Sequence, residues 1–316
     1  MVSLADVVAA HARLKPHLLV TPTLWSHGLS ELLGGEILLK AENLQVTGSF
    51  KSRGALNWVL TADPGETATG LVTVSAGNHA QALAWAAGRL GAPVTVVMPS
   101  GSSPMKIEAT RRYGGEVLDG GSIDAAVALT HRLSRERGLT LVHPYDDARI
   151  IAGQGTVGLE LLHQAPHLDR ILVPVGGGGL ISGLAVAVKA LRPRVQVVGV
   201  EPAGAATLRN AWDQRRADAR LDTVDTLAAS LAPAVVGRHT YALSRRYVDD
   251  VVTVPEAHIA EATRLLLTAG RLYAEPGAAV PLAALFAGVV SPARRGATAL
   301  VVSGGNLDLK LLREWL

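Results

Sequence analysis

The chain has 316 residues, of which 48% are apolar and 18% charged, a composition typical of a folded protein with a substantial core. It has no cysteine, which excludes disulfide bonds, iron–sulfur clusters, thiolate zinc sites and a cysteine nucleophile. Its 30 basic and 27 acidic residues nearly balance, and only 4% of residues are aromatic, so we expect no nucleic-acid partner.

Short β-branched runs alternate with alanine- and leucine-rich segments of helical period along nearly the whole chain. This alternation predicts an α/β fold of mostly parallel sheets flanked by helices. The predicted strands are 37–40, 71–74, 94–98, 116–118, 139–142, 171–175, 195–200, 247–254 and 297–302. The predicted helices include 78–90, 122–137, 180–191 and 255–270. An opening helix is expected to be capped by Ser3, with Asp6 at the third helical position.

Two stretches, 171–188 and 276–293, run 18 residues without a charge, the lower limit for a membrane span. A proline and four consecutive glycines interrupt the first and three prolines the second, so neither is expected to cross a membrane. The first residues carry an early acid and a helical pattern rather than a signal-peptide pattern. We therefore expect a cytoplasmic protein with no membrane partner.

A run of four glycines, 176–179, lies between the predicted strand 171–175 and a long apolar helix. Glycines let the backbone approach a ligand closely, and a helix start offers unpaired N–H groups, so the run favours phosphate binding over a plain turn. No Lys-Ser/Thr pair follows the glycines, which argues against triphosphate chemistry as the function.

The sequence GQGTVG at 153–158 matches the dinucleotide-binding glycine pattern and raises a nicotinamide oxidoreductase as an alternative. The run before it is short for a strand, and no acidic residue stands near position 173, so a structural role is preferred. Lys51 lies at a predicted loop-to-helix junction, where its amine could form a Schiff base with an aldehyde. Taken alone, a solvated surface lysine is the commoner case.

Six motifs together resemble a known family. They are TGSFKSRGA at 47–55, SAGNHAQALA at 75–84, IAGQGT at 151–156, PVGGGG at 174–179, EPGA at 275–278 and SGGN at 303–306. In this order they resemble pyridoxal-phosphate enzymes of the tryptophan-synthase β fold (fold type II), in the threonine/serine dehydratase and serine racemase branch. The resemblance implies a pyridoxal 5'-phosphate (PLP) cofactor and a homodimer. It also implies a large domain of residues 1–68 and 148–316 and a small domain of residues 69–147.

The resemblance implies roles for residues around the cofactor. Lys51 would form the Schiff base, Phe50 would pack by the ring and Asn78 would bind the phenolic oxygen. The phosphate would be held by backbone amides of Gly176, Gly177, Gly178, Gly179 and Leu180. Ser303 would face the pyridine nitrogen, where a neutral hydroxyl makes the ring a moderate electron sink that suits β-elimination. Glu275 would be a carboxylate beside the cofactor, or by the plainer alternative a neighbour of a helix N-cap.

The substrate is expected at the start of the helix after strand 71–74. The residues implied there are Ser75, Ala76, Gly77, Asn78 and His79, with Ser75 counted beside Lys51 as catalytic. Free N–H groups at a helix start suit a substrate carboxylate. Arg132 is a further candidate for a carboxylate contact, although exposure on a basic helix is the commoner situation for such an arginine.

Three departures from the family pattern bear on function. Ala76 stands where racemases of this branch have a serine that acts as an acid/base, which disfavours racemisation. A Mg²⁺ or Ca²⁺ site would use Glu201 and the Ala205 carbonyl, but Thr207 replaces the expected aspartate, so we expect the site to be weak or absent. Ser230 replaces a glycine in the segment Ala228–Ser230, which puts the substrate side of the pocket in doubt.

The resulting prediction is a PLP-dependent dehydratase, an ammonia-lyase that converts L-threonine or L-serine to the 2-keto acid and ammonia. Lys51 would remove the Cα proton before β-elimination. The alternatives are a serine or amino-acid racemase, a dehydratase for a bulkier 3-hydroxy amino acid, and a non-catalytic protein that binds PLP or an amino acid.

Overall fold

The computed structural model describes residues 1–309 and contains two mostly parallel sheets flanked by helices. The strands are β1 Thr23–Trp25, β2 Ile37–Ala41, β3 Leu71–Val74, β4 Val94–Met98, β5 Gly115–Asp119, β6 Thr140–Leu141, β7 Leu168–Pro174, β8 Gln196–Pro202, β9 Asp250–Val254 and β10 Ala297–Val302. The helices are α1 Leu4–Leu14, α2 His27–Leu33, α3 Lys51–Thr61, α4 Pro64–Thr67, α5 Asn78–Gly88, α6 Pro104–Arg112, α7 Ile123–Arg137, α8 Ala148–Gln164, α9 Gly179–Leu191, α10 Thr207–Asp213, α11 Arg238–Tyr247, α12 Ala257–Thr268 and α13 Pro276–Phe286. The predicted α/β class is confirmed.

The larger sheet has six strands in the order β1-β2-β10-β7-β8-β9, parallel except for the edge pair β1 and β2. Successive strand residues point to opposite faces. Ile171 and Val173 therefore pack in one apolar cluster with α8 and α9, whereas Leu172 packs in another with α12 and α13. Because both faces are covered, the strands are almost continuously apolar.

The smaller sheet has four parallel strands in the order β5-β4-β3-β6. Helix α5 packs on one face and α7 on the other, and α3 packs against α5, which joins the two sheets. We call this sheet with α5, α6 and α7 the small lobe, and the rest of the described chain the large lobe. The strands of the small lobe lie within the range 69–147 given for the small domain, and the boundaries themselves stay a prediction.

Each predicted strand overlaps an observed strand, although β1, a three-residue edge strand, was not predicted. The predicted strand 247–254 begins too early, since α11 runs to Tyr247 and β9 starts at Asp250. The predicted cap of α1 is confirmed: the Ser3 N–H donates to the Asp6 carboxylate at 2.8 Å, and the Asp6 N–H donates to Ser3 Oγ at 3.4 Å.

The GQGTVG motif lies inside α8 and is not a strand-to-helix loop, which confirms its structural role. A Cβ atom on Gly153 would lie 2.6 Å from the Arg53 carbonyl oxygen, and one on Gly155 would lie 2.8 Å from the Gly183 carbonyl oxygen. The glycines therefore let α8 pack closely against α3 and α9. Within residues 1–309, none of the helices combines the length and the apolar content that a membrane crossing requires.

Candidate active site

Three of the sequence motifs meet at one edge of the larger sheet. Strand β10 lies between β2 and β7 and is parallel to both, so the segments that follow these strands emerge side by side. The small lobe adds the segment after β3 from the opposite side. The cleft between them is lined by Phe50, Lys51, Asn78, Tyr145, Pro174, Gly176, Gly177, Gly178, Gly179, Leu180, Ile181, Ser230, Leu231, Glu275 and Ser303.

The glycine run forms a row of free donors at the start of α9. Among the described residues, the backbone N–H groups of residues 176–181 have no hydrogen-bond acceptor. Gly178 has a φ of +86°, which favours glycine, and turns the chain into the helix. A Cβ atom on Gly177 would lie 2.3 Å from the Tyr145 ring. The loop is thus an anion site of the kind that holds a phosphate ester.

Lys51 is the first residue of α3, and its Nζ atom lies in the same cleft. It donates a hydrogen bond of 2.9 Å to the Pro144 carbonyl oxygen and lies 5.3 Å from the centre of the Phe50 ring. Burial lowers the pKa of Lys51 to about 8, although the negative charge of Glu275 opposes the change. A substantial neutral fraction near physiological pH makes this amine a nucleophile and a base.

Two buried polar side chains, Asn78 and Glu275, line the cleft with Lys51, and the partly buried Asn306 extends the hydrogen-bonded chain from Asn78. Asn78 donates from Nδ2 to Glu275 Oε1 at 2.6 Å, and Asn306 donates from Nδ2 to Asn78 Oδ1 at 2.8 Å. These bonds fix the orientation of the Asn78 amide. Ser303 is buried at the end of β10, and its carbonyl oxygen accepts the Phe50 N–H at 3.1 Å. Both residues line the cleft, as expected, and their cofactor contacts stay a prediction.

The loop between β3 and α5 borders the cleft from the small lobe. Ser75 Oγ accepts the N–H groups of Gly77 at 3.2 Å and Ala80 at 3.3 Å, so it caps α5. Ala76 is exposed at the tip of the loop. His79 is buried, and burial together with the nearby Lys51 and His143 lowers its pKa well below the usual range, which keeps the ring neutral.

The structure places Arg132 outside the cleft, and its contact with a substrate carboxylate stays a prediction. This side chain is 60% exposed on α7, where it lies 4.0 Å from Glu136, and it does not line the cleft. The spacing of charges along a helix does not reveal which face turns toward a distant cleft. The sequence alone therefore could not distinguish a carboxylate contact of Arg132 from exposure to solvent.

The residues named for a divalent cation are engaged with the chain itself. Glu201 is buried and accepts the N–H groups of Leu208 at 2.7 Å and Arg209 at 2.8 Å, and burial raises its pKa to about 8. Thr207 donates from Oγ1 to the Pro233 carbonyl oxygen at 2.6 Å and lies 3.4 Å from that of Ala205. Over residues 1–309, no group of three or more acidic or histidine side chains could hold a metal ion. The weak cation site at Glu201 and Ala205 stays a prediction.

Sequence reasoning missed two residues of the site. Tyr145 packs across the glycine loop and donates from its hydroxyl to the Val235 carbonyl oxygen at 2.7 Å, and burial raises its pKa to about 12. Lys106 reaches Glu275 from the small lobe. Neither residue belongs to one of the six motifs. The packing of the two lobes makes Tyr145 part of the cleft lining and brings Lys106 beside it, next to Glu275.

A phosphate cradle and a lysine of lowered pKa in one cleft of a two-lobed α/β protein define an enzyme that can bind a phosphorylated aldehyde. The chain belongs to the family described as pyridoxal-phosphate dependent enzyme, which it matches over residues 14–304. Its cofactor is PLP, and the free N–H groups at residues 176–181 fit the phosphate ester of that cofactor.

Several proteins of known activity are similar to the chain. An L-threonine ammonia-lyase of Geobacter sulfurreducens is 45% identical over 305 residues, covering 96% of this chain and 75% of the relative. A serine racemase of Arabidopsis thaliana is 39% identical, covering 96% of this chain and 94% of the relative. The crystal structure of a T.th. threonine deaminase has a TM-score of 0.89 at 44% identity, covering 97% of this chain and 99% of that structure.

Proposed function

We propose that the chain is a PLP-dependent ammonia-lyase that converts a β-hydroxy-α-amino acid to a 2-keto acid and ammonia. L-threonine is the first substrate and L-serine the second. The observation that carries this proposal is the common cleft of the Lys51 amine and the free N–H groups of residues 176–181. The similarity to threonine ammonia-lyases, at 38–45% identity, supports the choice of substrate.

PLP, when bound, supplies an electron-withdrawing ring that stabilises negative charge on Cα of the substrate. The chain supplies the remaining groups. The N–H groups of the glycine run bind the phosphate, and the N–H groups at the start of α5 bind the substrate carboxylate beside Ala76. The Nζ atom of Lys51 takes the Cα proton, because its lowered pKa leaves part of the amine neutral. The Cα proton and the β-hydroxyl are together lost as water, and the enamine that remains takes up water to give the 2-keto acid and ammonia.

The second candidate activity is racemisation, which the similarity to the Arabidopsis serine racemase favours. Racemisation needs a proton donor on the substrate face opposite Lys51. Ala76 has no hydroxyl, and the neighbouring Ser75 Oγ is held in place beside the start of α5 by the N–H groups of Gly77 and Ala80. We therefore place elimination first. A bulkier substrate remains the third candidate because Ser230 lines the cleft.

The decisive experiment is a keto-acid screen of the purified holoenzyme with hydroxy amino acids, with mass spectrometry to identify products. We expect 2-oxobutanoate and ammonia from L-threonine, pyruvate and ammonia from L-serine, and a visible absorption band from the bound cofactor. The Lys51→Ala variant should lose the turnover, while Lys15→Ala, at an exposed position, should keep it. Absence of ammonia from every substrate would favour the non-catalytic binding protein. Accumulation of D-serine as the main product would favour the racemase.

We propose further that the protein is a homodimer and acts in the cytoplasm, as the family resemblance suggests. Light scattering coupled to size-exclusion chromatography should give twice the chain mass of 32.9 kDa. A mass of one chain would contradict the dimer, and fractionation of cells that carry the protein would test its location.

A further inference from the structure

One ion pair crosses the cleft between the two lobes. The Nζ atom of Lys106 in α6 lies 3.6 Å from Oε2 of Glu275, which precedes α13. The Lys106 side chain is 13% exposed and the Glu275 side chain 4%. Charges buried to this extent interact more strongly than a surface pair. Removal of either charge leaves the other one buried without its ionic partner.

The lysine reaches the carboxylate by passing over the loop that precedes α5. A Cβ atom on Gly77 would lie 3.0 Å from Lys106 Cδ and 3.2 Å from Nζ. The glycine therefore leaves the space through which the lysine side chain extends. Lys106 thus contacts the loop proposed to bind the substrate carboxylate as well as Glu275 on the large lobe.

Glu275 links this contact to the proposed cofactor residues. Its other oxygen, Oε1, accepts the hydrogen bond from Asn78, whose own oxygen is held by Asn306. If Lys106 lost its charge, a buried carboxylate would retain a neutral amide as its hydrogen-bond partner, an unfavourable arrangement. The carboxylate would then turn toward solvent or draw the Lys51 ammonium toward itself, and either response would displace Asn78.

We propose that Lys106 is a positioning residue. Its ion pair with Glu275 holds the small lobe against the large lobe and keeps the Asn78 amide directed into the cleft. The inference rests on the proposed function in that the cleft is taken as the cofactor and substrate site. The inference adds to this site a residue that lies outside the six motifs, Lys106, and assigns its effect to the contact with Glu275.

The test is a double-mutant cycle with PLP affinity as the first readout. Apoprotein of the wild type, Lys106→Met, Glu275→Gln and the double variant is titrated with PLP and followed by absorbance. We expect each single variant to bind PLP about tenfold more weakly, and the double variant to lose much less than the product of the two losses. Lys106→Arg, which keeps the charge, should recover part of the affinity. Arg111→Met, at an exposed position of the same helix, is the matched control.

Two further measurements separate positioning from general stability. The melting temperature of each apoprotein shows whether the variant folds, and the steady-state constants show whether KM for threonine rises more than kcat falls. Unchanged PLP affinity in a folded Lys106→Met protein, or losses that multiply in the double variant, would overturn the inference while leaving the lyase proposal intact. A wild-type holoenzyme that releases no ammonia would instead overturn the lyase proposal, and the affinity cycle would still test the ion pair.

Discussion

The Nζ atom of Lys51 in the large lobe lies 2.9 Å from the carbonyl oxygen of Pro144, which follows the last strand of the small lobe. A carbonyl oxygen accepts a hydrogen bond from either an amine or an ammonium group, so it orients Nζ without fixing its charge. The charge is set by burial, which lowers the pKa, and by Glu275, which raises it. The reactivity of this lysine should therefore follow pH in a range accessible to experiment.

The rate at which the apoprotein incorporates PLP should rise with pH. The neutral amine is the form that attacks an aldehyde, and with a pKa of about 8 its fraction grows about tenfold between pH 7 and pH 9. Stopped-flow absorbance after mixing with PLP measures this rate. A rate that stays flat through pH 8 and rises only near pH 10 would show that Lys51 keeps the pKa of an exposed lysine.

Glu275 gives this prediction an internal control. Because the carboxylate raises the pKa of Lys51, the Glu275→Gln variant should show the same rise in rate with its midpoint at a lower pH. A midpoint that moves upward would mean that the carboxylate acts on Lys51 through structure and not through its charge. The direction of the shift is therefore the result to measure.

Replacing Gly177 by alanine should damage the phosphate cradle. The added Cβ would lie 2.3 Å from the Tyr145 ring, so the loop or the ring must move. We expect a loss of about 1–3 kcal/mol in the free energy of unfolding and a marked weakening of PLP binding. Gly65→Ala is the control, because nothing lies within 4 Å of its added Cβ. Equal PLP affinity in the two variants would contradict the assignment of the loop.

The largest effect on stability is expected from Arg53, two residues after Lys51. Its guanidinium binds Glu42 through two bonds of 2.8 Å and Glu160 through bonds of 2.6 and 2.8 Å. Lys40 also binds Glu160, at 2.7 Å, and all four residues are buried. Arg53→Met leaves two buried carboxylates with one cation. We expect the free energy of unfolding to fall by about 3–5 kcal/mol in urea titrations.

A surface pair provides the comparison for Arg53. Arg216 and Asp218 are 2.9 Å apart, but their side chains are 60% and 75% exposed. Arg216→Met should leave the free energy of unfolding close to that of the wild type, because water screens an exposed ion pair. Similar losses for the two arginine variants would show that burial does not amplify the cost at Arg53, and would contradict the reasoning for the buried cluster.

The sequence predicted the parts of the site that depend on local structure. The strand, glycine run and helix around 171–191 form one continuous unit, so the phosphate loop could be recognised without knowledge of the rest of the fold. The hydrogen-bonded chain of Asn306, Asn78 and Glu275 could not be recognised in this way, because its members come from three separate segments. The orientation of Arg132 could not be derived from the sequence either, because it depends on how α7 turns against the small sheet.

The exposed tip of the substrate loop offers a test of reaction type through Ala76. The Ala76→Ser variant adds a hydroxyl beside Ser75, whose own oxygen already accepts the N–H groups of Gly77 and Ala80. If a free hydroxyl at position 76 is what the lyase lacks for reprotonating the substrate from the second face, the variant should form D-serine from L-serine. Its rate of ammonia release should stay within about tenfold of the wild type.

Chiral chromatography of timed samples measures D-serine, and an ammonia assay of the same samples measures elimination. The Ala76→Gly variant separates the effect of the hydroxyl from that of altered loop packing. Wild-type protein that already forms D-serine, or a serine variant that forms none, would show that position 76 does not decide between elimination and racemisation.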